Sequence, residues 1–222
     1  MVITDVLMRT VEADGGQMAW ACELPDLTPE HVKALQALIA ALGAHPPSGF
    51  TSSGESLEDL GDAADVHVFA DGRRNGEQGV WLEVGSTSGA WAQQTSPVEG
   101  EDPLAVRLTL LGQLYRRPAT LTRHDIRDAA RTLLRWRNQV AQWACMPSRP
   151  VPEEIRRRAN NALAADLATP DVLNLLLCAE AADDIPEGAK FETFAHLDRI
   201  LGLELTREIG RVPVPVPVPE AG

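Results

Sequence analysis

Cysteine is nearly absent from this chain: its 222 residues hold three, Cys22, Cys145 and Cys178. An odd, widely spaced set argues against a disulfide framework. Long apolar runs are missing as well. No stretch approaches the ~20 residues that a membrane helix needs, and "MVITDVLMRT" lacks the basic segment and apolar core of a secretory signal. A cytoplasmic protein without a membrane role is expected. Lysine is scarce, since only Lys33 and Lys190 are Lys among 20 basic residues. Catalytic signatures are also lacking. There is no G-x-S-x-G, and the Gly-rich "GSTSG" has no Gly-Lys-Ser/Thr ending of a phosphate loop. Cys22 and His31 stand nine residues apart with nothing to complete a zinc set. The expectation is therefore no catalytic residue, no metal and no cofactor.

The charge that is present is uneven. The net value is −12, which disfavours DNA, since non-specific binding feeds on positive potential. Residues 1–100 carry 4 basic and 15 acidic side chains, residues 101–160 carry 12 Arg against 6 acids, and residues 161–222 carry 4 against 11. A polyanion contact is thus possible only in the middle of the chain.

The pattern predicts a mainly α protein with a small α/β N-terminal part. Residues 1–101 read as mixed α/β. Thr28 caps a helix that buries Val32, Leu35, Leu38, Ile39 and Leu42 and stops at Gly43. "DVHVFA" and "GVWLEV" flank two turn dipeptides, so a β-hairpin is expected. Residues 85–102 lack periodicity and read as a loop at the domain boundary. Residues 102–210 predict an antiparallel bundle of about five helices. The first is "PLAVRLTLLGQLYRR". The second has Thr122 as cap with Asp125 three residues on, and buries Ile126, Leu133, Val140 and Trp143. The third has Glu153 and Glu154 in its first turn, with Glu154 facing Arg158. The fourth has Thr169 as cap and Pro170 at the first helical position. The fifth buries Phe191, Phe194, Leu197 and Leu201 and ends at Gly202. The tail 211–222, "RVPVPVPVPEAG", has few donors and should be an extended, disordered arm whose removal leaves the melting temperature almost unchanged.

Three stretches carry a family resemblance: "EDPLAVRLTLLGQLYRRPATLTRHDIRDAARTLLRWRNQV", "IRRRANNALAADLATPDVLNLL" and "FETFAHLDRILGLEL". In order and spacing they resemble the C-terminal helical bundle of cysteinyl-tRNA synthetases and of the cysteine ligase of mycothiol biosynthesis. Asp102 to Leu111, Leu114-Tyr115-Arg116 and Asp166 to Pro170 match the family's runs, and "EDPLAVRL" is closer to the ligase. More weakly, "ITDVLMRTVEADG" is similar to the family's N-x-T-D-x-D-D-K strand-to-helix segment. "EVGSTSGA" falls at the family's mobile K-M-S-K-S loop.

The resemblance implies a truncated relative. The H-I-G-H motif has no counterpart. The two loop lysines, whose charge stabilises the pyrophosphate leaving group, are replaced by Glu83 and Ser86, with Gly89 closing a degenerate nucleotide loop. The expectation is a homologue that is inactive alone, a pseudoenzyme or accessory protein. Its bundle would bind tRNA, a carrier protein or a partner synthetase or ligase. Two alternatives stand beside it: a component of a cysteine ligase whose ATP-binding half lies on another chain, and a structural module that forms a homodimer.

One candidate contact surface is visible. Arg123, Arg127, Arg131 and Arg135 step by four along one helix, drifting about 40° per step, so they share a face. Arg116 and Arg117 precede them. In the synthetase family this bundle contacts tRNA, which makes the six arginines a candidate nucleic-acid ridge. The alternative is a solvated face partly paired to Asp125 and Asp128. Trp143 is expected in the core, Trp136 lies off the apolar face, and Trp91 could plug the vestigial nucleotide site.

Overall fold

A computed structural model of the chain describes residues 1–24, 28–52, 64–69, 79–89 and 102–211. Its elements run α1 Val2–Ala13, β1 Ala21–Leu24, α2 Pro29–Ala41, β2 Gly49–Ser52, β3 Val66–Phe69, β4 Val80–Glu83, β5 Thr87–Gly89, α3 Pro103–Leu111, β6 Ala119–Leu121, α4 Arg123–Trp143, α5 Glu153–Ala164, α6 Thr169–Ala181 and α7 Glu187–Leu201. The protein is mainly helical, with short strands confined to parallel pairs among the described residues. No described helix is long and apolar enough to cross a membrane.

Local sequence sets the helix starts. The Thr28 hydroxyl accepts from the His31 amide at 3.2 Å. Thr122 accepts from the Asp125 amide at 3.1 Å while the Asp125 carboxylate accepts from the Thr122 amide at 3.2 Å, a reciprocal capping box. Asp102 caps α3 by accepting from the Leu104 amide at 3.0 Å. Gly202 ends α7 at φ 61°, where a side chain would be strained. The fourth bundle helix departs slightly from expectation. Thr169 is its first residue and Ala168 its cap, because the Thr169 hydroxyl instead donates to the Leu111 carbonyl at 2.8 Å.

Leu104, Leu108, Leu133, Val140, Leu176, Phe194 and Leu201 form one buried cluster with Ile3 and Val6 of α1. Trp136 belongs to it too, with 1% of its surface exposed. Its ring meets Phe194 edge-on at 5.7 Å, and Trp143 meets the same ring at 5.2 Å. The off-face reading of Trp136 is thus corrected. It lies three residues after Leu133 and four before Val140, so it shares their stripe.

Two buried arginines tie the helices to the turn after α7. Arg107 on α3 donates to the Leu201 carbonyl at 2.6 Å, to the Leu42 carbonyl at 3.1 Å and to Asp5 of α1 at 2.5 Å. Arg137 on α4 donates to the Leu203 and Glu204 carbonyls at 2.7 and 3.1 Å and is paired with Asp102. Asp198 accepts from the Leu203 and Leu205 amides at 2.7 and 2.8 Å. The arginines satisfy carbonyls at and just beyond helix ends, and Asp198 satisfies amides of the turn after α7.

The strands correct two expectations. The segments read as a hairpin pair in parallel instead, with Val66 opposite Val80 and Phe69 opposite Glu83. A tight turn would force antiparallel pairing. The ten-residue connection reaches roughly 33 Å when extended, enough to return the chain to the start of its partner. The turn dipeptides themselves lie outside the described residues. The second correction concerns residues 85–102, expected as loop throughout. Within them Thr87–Gly89 is a strand, parallel to Ala119–Leu121 with α3 as the crossover. The first bundle helix accordingly ends at Leu111, and Gln113–Arg117 belongs to the connection that leads into β6. Trp91 and the Val-Pro tail beyond Arg211 lie outside the described residues.

Candidate functional site

The predicted loop and the predicted arginines meet at the β5–β6 pair. The Gly85 amide donates to the Tyr115 carbonyl and the Ala119 amide donates to the Ser86 carbonyl, both at 2.8 Å. Gly89 sits opposite Leu121 at φ 111°. The approach is close enough that a Cβ on Gly85 would stand 2.2 Å from the Arg117 carbonyl oxygen. The segment 85–89 is therefore stapled along the chain that carries Arg116 and Arg117. Glu83 ends β4 in an exposed position, Ser86 is exposed, and no basic side chain lies between them. Ser88 and Thr120 face solvent opposite each other, their hydroxyls 3.2 Å apart.

Tyr115 and Arg116 extend this arrangement to the α5–α6 turn. Both donate to the same Asp166 oxygen, at 2.5 and 2.6 Å, and Arg116 also donates to the Tyr115 hydroxyl at 2.9 Å. Burial and the Asp166 carboxylate push the Tyr115 hydroxyl above its ordinary range. Asp166 and Leu167 hold φ of 89° and 50°, the left-handed region that non-glycine residues enter at a cost. The two sequence runs around Leu114 and Asp166, far apart in the chain, thus form one joint in space.

The six ridge arginines do not behave alike. Arg135 is bound to Glu180 through two hydrogen bonds, at 2.8 and 3.1 Å. Burial raises Glu180, but Arg135 and the Trp136 indole outweigh it and hold the carboxyl below its usual range. Arg131 is paired with Asp128, as expected of a solvated face. Asp125 is occupied by its cap. Arg116 is tied to Asp166. Arg117, Arg123 and Arg127 are exposed and have no ion pair among the described residues. The expected ridge is thereby reduced to a basic end at the start of α4, next to the 85–89 segment. Arg156, Arg157 and Arg158 are exposed, and Glu154 pairs with Arg157 rather than the expected Arg158, with Glu153 on Arg156.

Sequence reasoning missed a second polar concavity. Arg9, Gly43, Asp198, Gly202, Glu204 and Arg207 line a shallow site of about 390 Å³ over the buried arginines. Asp5 lies beneath it. Burial raises its carboxyl, but Arg107, the His45 amide and Arg9 prevail and hold it at about 2. Arg9, at 2.8 Å from Asp5 and 2.9 Å from the Gly43 carbonyl, has its donors engaged. Its i,i+4 spacing to Asp5 was the one local signal available. Cys22 is half-buried on β1 and His31 exposed on α2.

Comparison with known proteins gives one consistent result. No protein-family profile matches the chain. Curated relatives carry the name L-cysteine:1D-myo-inositol 2-amino-2-deoxy-alpha-D-glucopyranoside ligase. That of Geodermatophilus obscurus is 34% identical over 113 residues, covering 48% of this chain and 26% of the relative. That of Streptomyces coelicolor is 43% identical over 75 residues, 34% of this chain and 17% of the relative. That of Thermobifida fusca is 36% identical over 114 residues, 49% and 26% respectively. The chain is a relative of these ligases over about half of its length, and spans about a quarter of theirs.

Proposed function

We propose that this chain is an accessory relative of the cysteine ligases that does not itself activate cysteine, and that its helical bundle binds a phosphate-bearing partner through the basic end Arg117, Arg123 and Arg127. The observation that carries the first half is the 85–89 segment. The family loop it resembles supplies two lysines to a leaving pyrophosphate, where charge at the moment of bond cleavage does the catalysis. Here Glu83 and Ser86 occupy the matching positions, and backbone hydrogen bonds hold the segment against residues 115–121. An anion at Glu83 would oppose a developing negative charge.

The second half rests on three exposed guanidinium groups without acidic partners among the described residues, Arg123 and Arg127 in the first two turns of α4 and Arg117 just before β6. Guanidinium groups suit phosphate through paired N–H donors. A transfer RNA is the first probe, with a carrier protein or a partner ligase as the other candidates. The chain's net charge of −12 repels a polyanion at long range, so contact must be short-ranged and weak at physiological salt, where screening leaves only about 8 Å of reach. ATP–pyrophosphate exchange with cysteine tests the first half, and no exchange above background is expected. Exchange that survives repurification overturns it.

The similarity to ligases favours one second reading, a ligase component that works with an ATP-binding half on another chain. Restored exchange on adding a ligase nucleotide domain in trans would select it.

A further inference from the structure

We propose that Thr120 is a phosphorylation site for an arginine-directed serine/threonine kinase, and that the phosphate it gains closes the basic end. Three independent observations converge on this one hydroxyl. The first is sequence. Of the arginines in the chain, only Arg117 has a Ser or Thr three residues further on, and that residue is Thr120, with Arg116 one place earlier. An arginine at this distance before the hydroxyl is what such kinases read through acidic pockets. Lys190 offers the same spacing to Thr193, but Thr193 is fully buried.

The second observation is presentation. Thr120 is the central residue of β6, whose burial alternates buried, exposed, buried. Ala119 and Leu121 point inward and Thr120 points to solvent, so the hydroxyl stands on extended backbone, the conformation in which a kinase cleft takes its substrate. β6 pairs with β5 on one side and with no other strand among the described residues. The Thr120 hydroxyl meets the exposed Ser88 hydroxyl at 3.2 Å. That is a weak tie between two solvated groups.

The third observation is the surroundings of the product. Arg117 and Arg123 lie three residues before and after Thr120, both exposed and without an ion pair among the described residues. A phosphothreonine carries about −1.5 to −2 charges and three acceptor oxygens. It would draw the guanidinium groups that flank it in the chain through charge-assisted hydrogen bonds. In the transfer itself the Thr120 oxygen bonds to the γ-phosphorus of ATP. The bond from that phosphorus to its bridging oxygen breaks, ADP departs with the electron pair, and the hydroxyl proton passes to the kinase's carboxylate base. The consequence for partner binding rests on the proposed function above, because the phosphate would occupy the arginines that the partner needs.

The test uses the full chain with Mg-ATP and a calmodulin-dependent kinase, which selects arginine at this position. A peptide covering residues 113–122 serves as the control for kinase action. Intact-mass and peptide-mapping spectrometry should find one phosphoryl group per chain, on Thr120. Thr120→Ser should keep it, Thr120→Val should lose it, and Arg117→Ala should slow it severalfold, with melting temperatures confirming that each variant is folded. A phosphorylated peptide beside an unmodified folded chain overturns the proposal, as does label that persists in Thr120→Val. Phosphorylated chain should also bind labelled tRNA more weakly than unmodified chain. Phosphate on Thr120 with unchanged tRNA affinity would uphold the site and sink the partner-binding reading instead.

Discussion

The chain uses arginine in two opposite ways, and α4 holds both. At its start Arg123 and Arg127 are exposed with no ion pair among the described residues. Near its end Arg137 is 2% exposed and spends its donors on two carbonyls and Asp102. Arg107 on α3 is fully buried in the same manner, shared among Asp5 and two carbonyls. Between the extremes, Arg131 and Arg135 are half-exposed and neutralised by Asp128 and Glu180. The lesson is that an arginine count says little about ligand binding. The middle of the chain carries an excess of arginine, but the buried pair and the ion-paired ones are structural; of those exposed without an ion pair among the described residues, Arg117, Arg123 and Arg127 flank β6 and the start of α4, while Arg149 and Arg158 lie before and on α5. A buried guanidinium must have its charge and all its donors met, so those arginines are unavailable to any partner.

The comparison breaks most visibly at Arg107. Replacing it by Met should leave Asp5 buried with only Arg9 and His45 beside it and strip two carbonyls of their donor, at a cost of about 3–5 kcal/mol. Arg137→Met should cost less, about 2–3 kcal/mol, because Asp102 keeps Arg207 at 2.9 Å. Urea unfolding midpoints check both the size and the order. If Arg107→Met unfolds no more easily than a surface variant, the clasp is not what holds the turn after α7.

Acid should reach the clasp next. The Asp5 carboxyl sits at about 2, below its unfolded value of roughly 3.9, so its contribution is complete above about pH 4 and disappears as pH falls toward 2. Asp102 is also lowered, since Arg137 and the Leu104 amide outweigh its burial, and it works in the same direction. Asp198 opposes them. Burial raises its carboxyl, so its ionised form costs stability that is regained as it protonates. Stability should therefore fall between pH 4 and 2 in the native chain and fall less in Asp5→Asn, compared by circular dichroism melts at each pH.

Gly85 sharpens the other side of the comparison. A Cβ there meets backbone that is fixed by β6, so Gly85→Ala should loosen the β5–β6 pair at about 1–3 kcal/mol locally. Faster exchange of the Ala119 amide, which donates to Ser86, reads this directly while the bundle's core amides stay protected.

What could be read from the sequence divides along the same line. Helix starts at Thr28 and Thr122 were legible because caps are local: the donor and acceptor lie within three residues. Gly202 was legible for the same reason. Strand pairing was not, because the pattern of β3 and β4 fits either direction and only the path of the connection decides. Arg107 and Arg137 were hidden because their partners are remote, Asp5 lying 102 positions from Arg107. No periodicity announces a pair at that separation. The candidate ridge was half legible. The four-residue spacing sets its arginines about one turn apart along α4, but Glu180, which neutralises Arg135 from α6, is 45 positions away.

The smallest structural effect and the largest functional one are expected from the same double variant, Arg123→Glu with Arg127→Glu. Both residues are exposed, so stability should stay within about 0.5 kcal/mol of the parent. The most direct test of the account is fluorescence anisotropy of labelled tRNA against parent and variant at low and at physiological salt. The account predicts weak binding by the parent, in the micromolar range at best, that falls steeply with salt as counterions are released and is absent in the variant. Tight binding that ignores both the salt and the double change would contradict it.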